Sequence, residues 1–334
     1  MASLSRKQLV WIGCALGAAY GVVARVIFGL HKTGGIFDVM SSSFIIGVPI
    51  ALGFVTVWFG EYREKYGWAR RVLTPWAASV ACLGCALALA WEGIVCVIIW
   101  LPMVLLFSSF GGLLAGLLRL VFPSNRSKNY CVAVVALTPF LAAPLESLRM
   151  TAAEVRSVHT SVEISASPAV VWQEIRTVPK IADSEHSFSV SHWIGFPRPV
   201  EALLEGHGVG AVRYARFEGN VLFVERITEW DEPKRLSFAI QADTQNIPPT
   251  TFDEHVTIGG PYFDVLRGTY VIELLPSGRV LLHLSSDQRL STRFNFYSHL
   301  WTEWLMADLQ NYILHIIKNR CEQKPVTPLA APAR

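Results

Sequence analysis

Five apolar stretches in the first 150 residues constrain this chain more than any other feature. A helix needs about 20 apolar residues to cross a bilayer, because no water is present in the core to satisfy unpaired backbone groups. Residues 9–30, 43–60, 74–91 and 94–122 reach or approach that length, and the fourth contains Pro102 and the Gly111-Gly112 pair. The fifth, 130–145, is the weakest, since 16 residues give only about 24 Å of helix. A first stretch this long, followed by others, reads as a span rather than a signal peptide. The expectation for residues 1–150 is therefore an all-α membrane bundle of about five spans.

Charge divides the chain at the same place. Residues 1–150 carry twelve Lys and Arg against five acidic residues, a net of +7, while residues 151–334 carry a net of −4, together the +3 of the whole chain. A break this sharp marks a domain boundary. The acidic second half lacks the basic face that a nucleic-acid partner requires. Five of the six cysteines lie in the apolar half, leaving only Cys321 outside it, so no disulfide framework is expected. Cys82 and Cys85 form a C-x-x-C, but with no second pair and no nearby His they read as small buried side chains.

Basic residues concentrate on cytoplasmic loops. Arg6, Lys7, Arg63, Lys65, Arg70, Arg71, Arg119, Arg126 and Lys128 fall on one side of the expected spans and Lys32 on the other. This predicts a cytoplasmic N-terminus, and five crossings then put the second half on the external or periplasmic side; if 130–145 does not cross, that half is cytoplasmic. Arg25 and Glu92 stand near helix ends, where they can reach the interface. No charged relay or repeated Gly/Pro break marks a transport path, so the apolar half reads as an anchor ahead of a small transporter with a regulatory domain.

The second half alternates apolar and polar residues at period two. Strand candidates are 158–165, 201–207, 209–218, 220–230, 235–243, 266–275 and 279–290, separated by turn residues such as Gly206-His-Gly208, Gly219-Asn220 and Pro276-Ser-Gly278. Ser167 as N-cap and Pro168 at the first position open a short helix. A long helix over 297–317 closes the domain. Its expected buried side includes Leu300, Trp301, Trp304, Leu305, Leu309, Tyr312, Ile313, Ile316 and Ile317. The predicted class is α+β over 155–322, a curved antiparallel sheet around one long helix, followed by a disordered tail over 323–334 rich in Pro and Ala.

His159-Thr-Ser-Val-Glu-Ile-Ser-Ala-Ser-Pro-Ala-Val-Val-Trp172 resembles the first strand and helix of the START-like superfamily of polyketide cyclases, dehydrases and lipid-transport proteins (SRPBCC). Gly208-Val-Gly-Ala-Val-Arg213, Val224-Glu-Arg-Ile-Thr-Glu-Trp230 and Pro233-Lys-Arg-Leu-Ser-Phe238 match the style of its middle strands. The resemblance covers about 157–322 and implies a helix-grip fold enclosing a hydrophobic cavity. It implies binding of lipids or other apolar molecules, with cyclisation or dehydration in a minority of members. These are packing motifs, so they speak to fold more than to activity.

Strand parity offers site candidates. Arg213, Glu225, Tyr270 and Asp287 interrupt apolar positions on four strands, and a carboxylate beside Arg or Tyr can orient a polar head or act in acid/base chemistry. Parity alone does not say which face is inside. Trp301 and Trp304 complete the ligand-cavity candidates. No residue is singled out as catalytic. His299, Glu303 and Asp308 do not share one helix face and read as solvated, so no metal site is predicted, and no phosphate loop or nucleophile elbow implies a cofactor. The preferred reading is a membrane-tethered binding domain with membrane lipids and a hydrophobic small molecule as partners. The alternative is a cyclase/dehydrase-type enzyme in the same cavity, using Arg213, Glu225 or Asp287.

Overall fold

The computed structural model describes residues 5–30, 36–61, 65–122, 125–149, 151–243 and 258–323. The chain forms two compact units: Met1–Ala152 together with Thr292–Phe294, and Ala153–Ser291 together with Asn295–Arg334.

The first unit is helical. Its elements are α1 (Arg6–Phe28), α2 (Val48–Gly60) entered through a π-helical turn (Ser43–Gly47), α3 (Trp68–Ala88), α4 (Ile94–Val121) and α5 (Asn125–Ser147). All five are long and apolar enough to cross a membrane. Ser5 caps α1 reciprocally with Gln8, accepting from the Gln8 N–H and donating its own N–H to Gln8 Oε1 at 2.7 Å. α2 is the central helix and the most buried of the five. Gly53 faces the Ser108 carbonyl and Gly111 faces the Ile50 carbonyl with no room for a Cβ, so α2 and α4 meet backbone to backbone.

Several charges of this unit are paired. Glu61 meets Arg71 at 2.5 Å, Arg119 donates to the Glu61 and Trp58 carbonyls, and Arg25 meets Glu92 at 2.6 Å. The Glu146 carboxylate accepts from the N–H groups of Ser42 and Ser43 at 2.7 and 2.8 Å, an anion at the positive start of a helix. Arg293 stands 3.4 Å from the same carboxylate, and Phe294 packs edge-on against Trp100 with centroids 4.6 Å apart.

Three helices start earlier than the hydropathy reading, α1 already at Arg6. α3 begins at Trp68, so Arg70 and Arg71 are helical rather than loop residues. α5 extends beyond 130–145 at both ends, and its 23 residues reach about 34 Å. Charged or polar first turns put these starts outside an apolar window. Pro102 and the Gly111-Gly112 pair lie inside one continuous α4.

The second unit is a single seven-stranded antiparallel sheet. Its strands are β1 (Glu154–Ile164), β2 (Pro199–Glu205), β3 (Val212–Phe217), β4 (Leu222–Asp231), β5 (Arg235–Asp243), β6 (Phe263–Leu274) and β7 (Val280–Leu290), in the order β1-β7-β6-β5-β4-β3-β2. β2 to β7 form a meander, and β1 joins the open edge of β7. Short helices α6 (Pro168–Arg176) and α7 (Val190–Trp193) lie between β1 and β2, and α8 (Asn295–Gln323) follows β7 and packs along β1 and β7. This order is consistent with a helix-grip fold.

β7 shows how the sheet chooses its faces. Leu282, Leu284, Ser286, Gln288 and Leu290 are buried, while the alternate residues from Leu281 to Arg289 are partly exposed. Trp172, Ile175, Ile227, Leu236, Phe238, Leu282 and Leu314 meet in the core. Gly206, Gly208 and Gly210 all have φ between 78° and 91°, the left-handed backbone of the β2–β3 turn. Ser167 stands at the α6 N-cap, but its side chain makes no cap bond.

The second half of α8 buries the expected Leu305, Tyr312, Ile316 and Ile317, while its first turns depart from the expected stripe. Its buried residues are Leu305, Gln310, Tyr312, Leu314, Ile316, Ile317 and Cys321, whereas Leu300 is 63% and Trp304 43% exposed. Gln310 anchors the buried second half. Its amide lies 2.8 Å from the Thr160 hydroxyl and 2.7 Å from that of Ser286, tying α8 to β1 and β7. The helix continues through Gln323, and the proposed tail beyond it lies outside the described residues.

Candidate functional site

Arg213 and Glu225 are directly opposed across β3 and β4. Arg213 Nε donates to Glu225 Oε2, and Nη1 donates to the Ile175 carbonyl at 2.5 Å, at the end of α6. The guanidinium lies 4.3 Å from the Phe238 ring centroid and 5.7 Å from that of Tyr270. Arg213, Glu225 and Tyr270 are 3%, 7% and 4% exposed, so the cluster sits inside the sheet rather than at its rim.

Burial dominates the protonation of this group. It pushes the Glu225 carboxyl above the usual carboxylate range, against the pull of Arg213. It pushes the Tyr270 phenol up to about 12. Burial alone would weaken the charge on Arg213, but Glu225 and Tyr270 more than offset it, and the guanidinium is held above its ordinary value. The cluster is closed on itself: the Arg213 fork is taken up by a carboxylate and a carbonyl.

Three sequence candidates thus come together, and the other three do not join them. Asp287 lies on the opposite face of β7 and accepts from the Ser157 hydroxyl at 2.6 Å, because that strand's inner parity is even-numbered. Trp301 is half-buried and stacks edge-on with Trp304 at 6.2 Å, but Trp304 faces outward. Asp287 and Trp304 therefore do not share the inner face with Arg213.

A second inner-face position escaped the sequence reading. Gln288, one alternation beyond Ser286, is completely buried. Its Nε2 lies 3.5 Å from Thr302 Oγ1, and its Oε1 has no partner among the described residues. The same turn of α8 carries His299, whose Nε2 meets Glu303 at 3.1 Å and whose Nδ1 is buried without a partner among the described residues. An uncharged amide in an alternating strand gives no motif signal. Only its parity with Leu282 and Leu284 could have marked it.

A third polar group ties α7 to α8. Asp308 accepts from the Ser189 hydroxyl at 2.5 Å and the Ser191 N–H at 3.0 Å. Burial opposes the Asp308 charge, but these bonds prevail and hold the carboxyl below its usual range. His186 Nδ1 lies 2.5 Å from the Tyr312 hydroxyl, and the His192 ring packs edge-on against Tyr312 at 4.4 Å. His192 Nδ1 faces the Phe196 carbonyl at 3.1 Å, and burial lowers its pKa. Among the described residues, no group of three or more His, Cys, Asp or Glu could hold a metal ion.

No protein-family model matches the chain, and no curated protein matches it. Solved structures similar to it include a START superfamily protein from Mycobacterium smegmatis, 12% identical, covering 50% of this chain and 97% of that one at a TM-score of 0.33. Another is Ara h 8.0201, 12% identical, covering 50% of this chain and 98% of that one at 0.30. A third, a protein from Arthrobacter aurescens, is 16% identical and covers 51% of this chain and 88% of that one at 0.31.

Proposed function

We propose that the second unit is a binding domain for a hydrophobic small molecule or lipid, tethered to a membrane by α1 to α5. Gln288 carries this reading. A buried amide oxygen without a partner among the described residues costs about 1–3 kcal/mol; beside it on the inner face stand Leu290, Val265 opposite on β6, and Ser286, whose hydroxyl is already taken by Gln310. A ligand with an apolar body and one hydroxyl or amide donor matches that combination. The tether keeps the domain beside the phase in which such ligands dissolve.

Purifying the full chain in detergent, washing it extensively and identifying what remains by mass spectrometry tests this. One retained hydrophobic molecule per chain supports it; only heterogeneous, washable lipid contradicts it. A catalytic reading draws on Glu225, whose carboxyl burial holds above the usual range beside Tyr270. Its partner Arg213, bonded to both Glu225 and the Ile175 carbonyl, argues for a structural role instead. Conversion of the retained molecule would favour the enzyme.

The apolar part of α5, Tyr130–Ser147, is 18 residues, within the range of a fifth crossing. With a cytoplasmic N-terminus, the binding domain then stands on the external or periplasmic side. Cys321 is only 1% exposed and is a poor probe of that placement, but Val209 is 68% exposed. In a Val209→Cys chain, an impermeant maleimide should label intact cells, or spheroplasts where an outer membrane is present. Labelling of Val209→Cys only after disruption would place the domain inside.

A further inference from the structure

We infer that the first three turns of α8 lie in the membrane interface and contact lipid, giving the binding domain a second membrane attachment. Phe296, Leu300 and Trp304 recur every four residues and so share one helix face. They are 70%, 63% and 43% exposed. From Asn295 to Leu305 the segment has Phe296, Tyr297, Trp301 and Trp304 but only one charged residue, Glu303. Phe and Leu on one face with Trp and Tyr beside them is the composition of a helix lying in the headgroup region. One turn beyond Trp304, Asp308 pins α7, which adds Trp193 at 74% exposure and its neighbour Phe188 at 78%.

The chain itself names the bilayer as the occupant. Thr292–Phe294 belong to the helical unit, where Phe294 packs on Trp100 of α4 and Arg293 stands by Glu146. Phe296 follows Phe294 by two residues, so its Cα is within about 7 Å of it. An apolar helix face that starts this close to a membrane-spanning unit meets lipid before any soluble partner. The inference rests on the reading of α1 to α5 as membrane spans.

Photocrosslinking tests it in the full chain, reconstituted in phosphatidylcholine nanodiscs. p-Benzoylphenylalanine is placed at Leu300, at Leu106 on α4 or at Val209 in the β2–β3 turn, positions that are 63%, 62% and 68% exposed and tolerate a large ring. Lipid adducts at both Leu106 and Leu300, several-fold above those at Val209, are expected. Adducts at Leu106 with Leu300 at the Val209 level, or with Leu300 joined to protein, would overturn the inference and leave the spanning helices intact. Absence of lipid adducts at Leu106 would remove the spanning reading and the inference with it.

Discussion

Replacing Arg213 by Met strands Glu225 in the core. The guanidinium's contacts with the Glu225 carboxylate and the Ile175 carbonyl are lost together, and both acceptors are buried. Breaking a buried pair from one side costs about 3–5 kcal/mol, and a domain of this size loses about 2–4 °C of Tm per kcal/mol, so a drop of about 6–20 °C is expected. Replacing both partners with apolar residues, Arg213→Met with Glu225→Leu, should recover much of that loss, because Phe238, Tyr270 and Leu236 form an apolar surround. The single variant should also be pH-dependent. The folded Glu225 pKa already lies above its unfolded value of 4.5, and removing Arg213 raises it further. A raised carboxyl contributes most below 4.5 and loses that contribution as pH rises through the folded pKa, so the gap from wild type should widen from acid to neutral pH. Near-ultraviolet circular dichroism of the full chain in detergent reports the domain, since Trp172 and Trp230 pack edge-to-face at 5.2 Å. A single variant as stable as wild type, or a double variant worse than the single, would refute the reasoning.

Other outcomes follow from burial. Trp172→Ala should cost about 3–5 kcal/mol in denaturant unfolding, since the ring is fully buried. Trp304→Ser should cost clearly less than Trp172→Ala in the same assay, because its side chain is 43% exposed; an equal loss would restore Trp304 to the core. Gln310→Ala should cost about 1–3 kcal/mol by stranding Thr160 and Ser286, read in the same unfolding assay. The His192 pKa is depressed, so its contribution is present above its unfolded value of 6.5 and lost as pH falls below it; His192→Phe should shrink the loss of Tm between pH 7.5 and 5.5.

The sequence announces the strands better than it announces their faces. Leu236, Phe238 and Ile240 alternate so cleanly that β5 is found where the pattern puts it, at Arg235–Asp243. β7 carries Leu281 beside Leu282, so apolar residues occupy both parities and the choice between Asp287 and Gln288 needs the neighbouring strands. The change of surroundings along α8 is hidden as well. Phe296, Leu300 and Trp304 are as apolar as Leu305, Tyr312 and Ile316, so hydropathy does not show that the first turns are exposed and the rest, with the polar Gln310, is buried. Arg213 and Glu225 were legible as charges at apolar positions, but their pairing depends on strand register, which alternation leaves open. The starts of α3 and α5 were illegible to hydropathy because a helix through Arg70 and Arg71, or from Asn125, is as regular as one through leucines.

Native mass spectrometry of wild type and Gln288→Leu, each released from detergent, tests the binding claim most directly. Leucine removes an acceptor that has no partner among the described residues, so stability should be unchanged or slightly higher. If Gln288 holds the polar end of a hydrophobic ligand, wild type carries one retained molecule per chain and Gln288→Leu carries markedly less at equal or greater Tm. Equal retention in both, or none in wild type, would contradict the account.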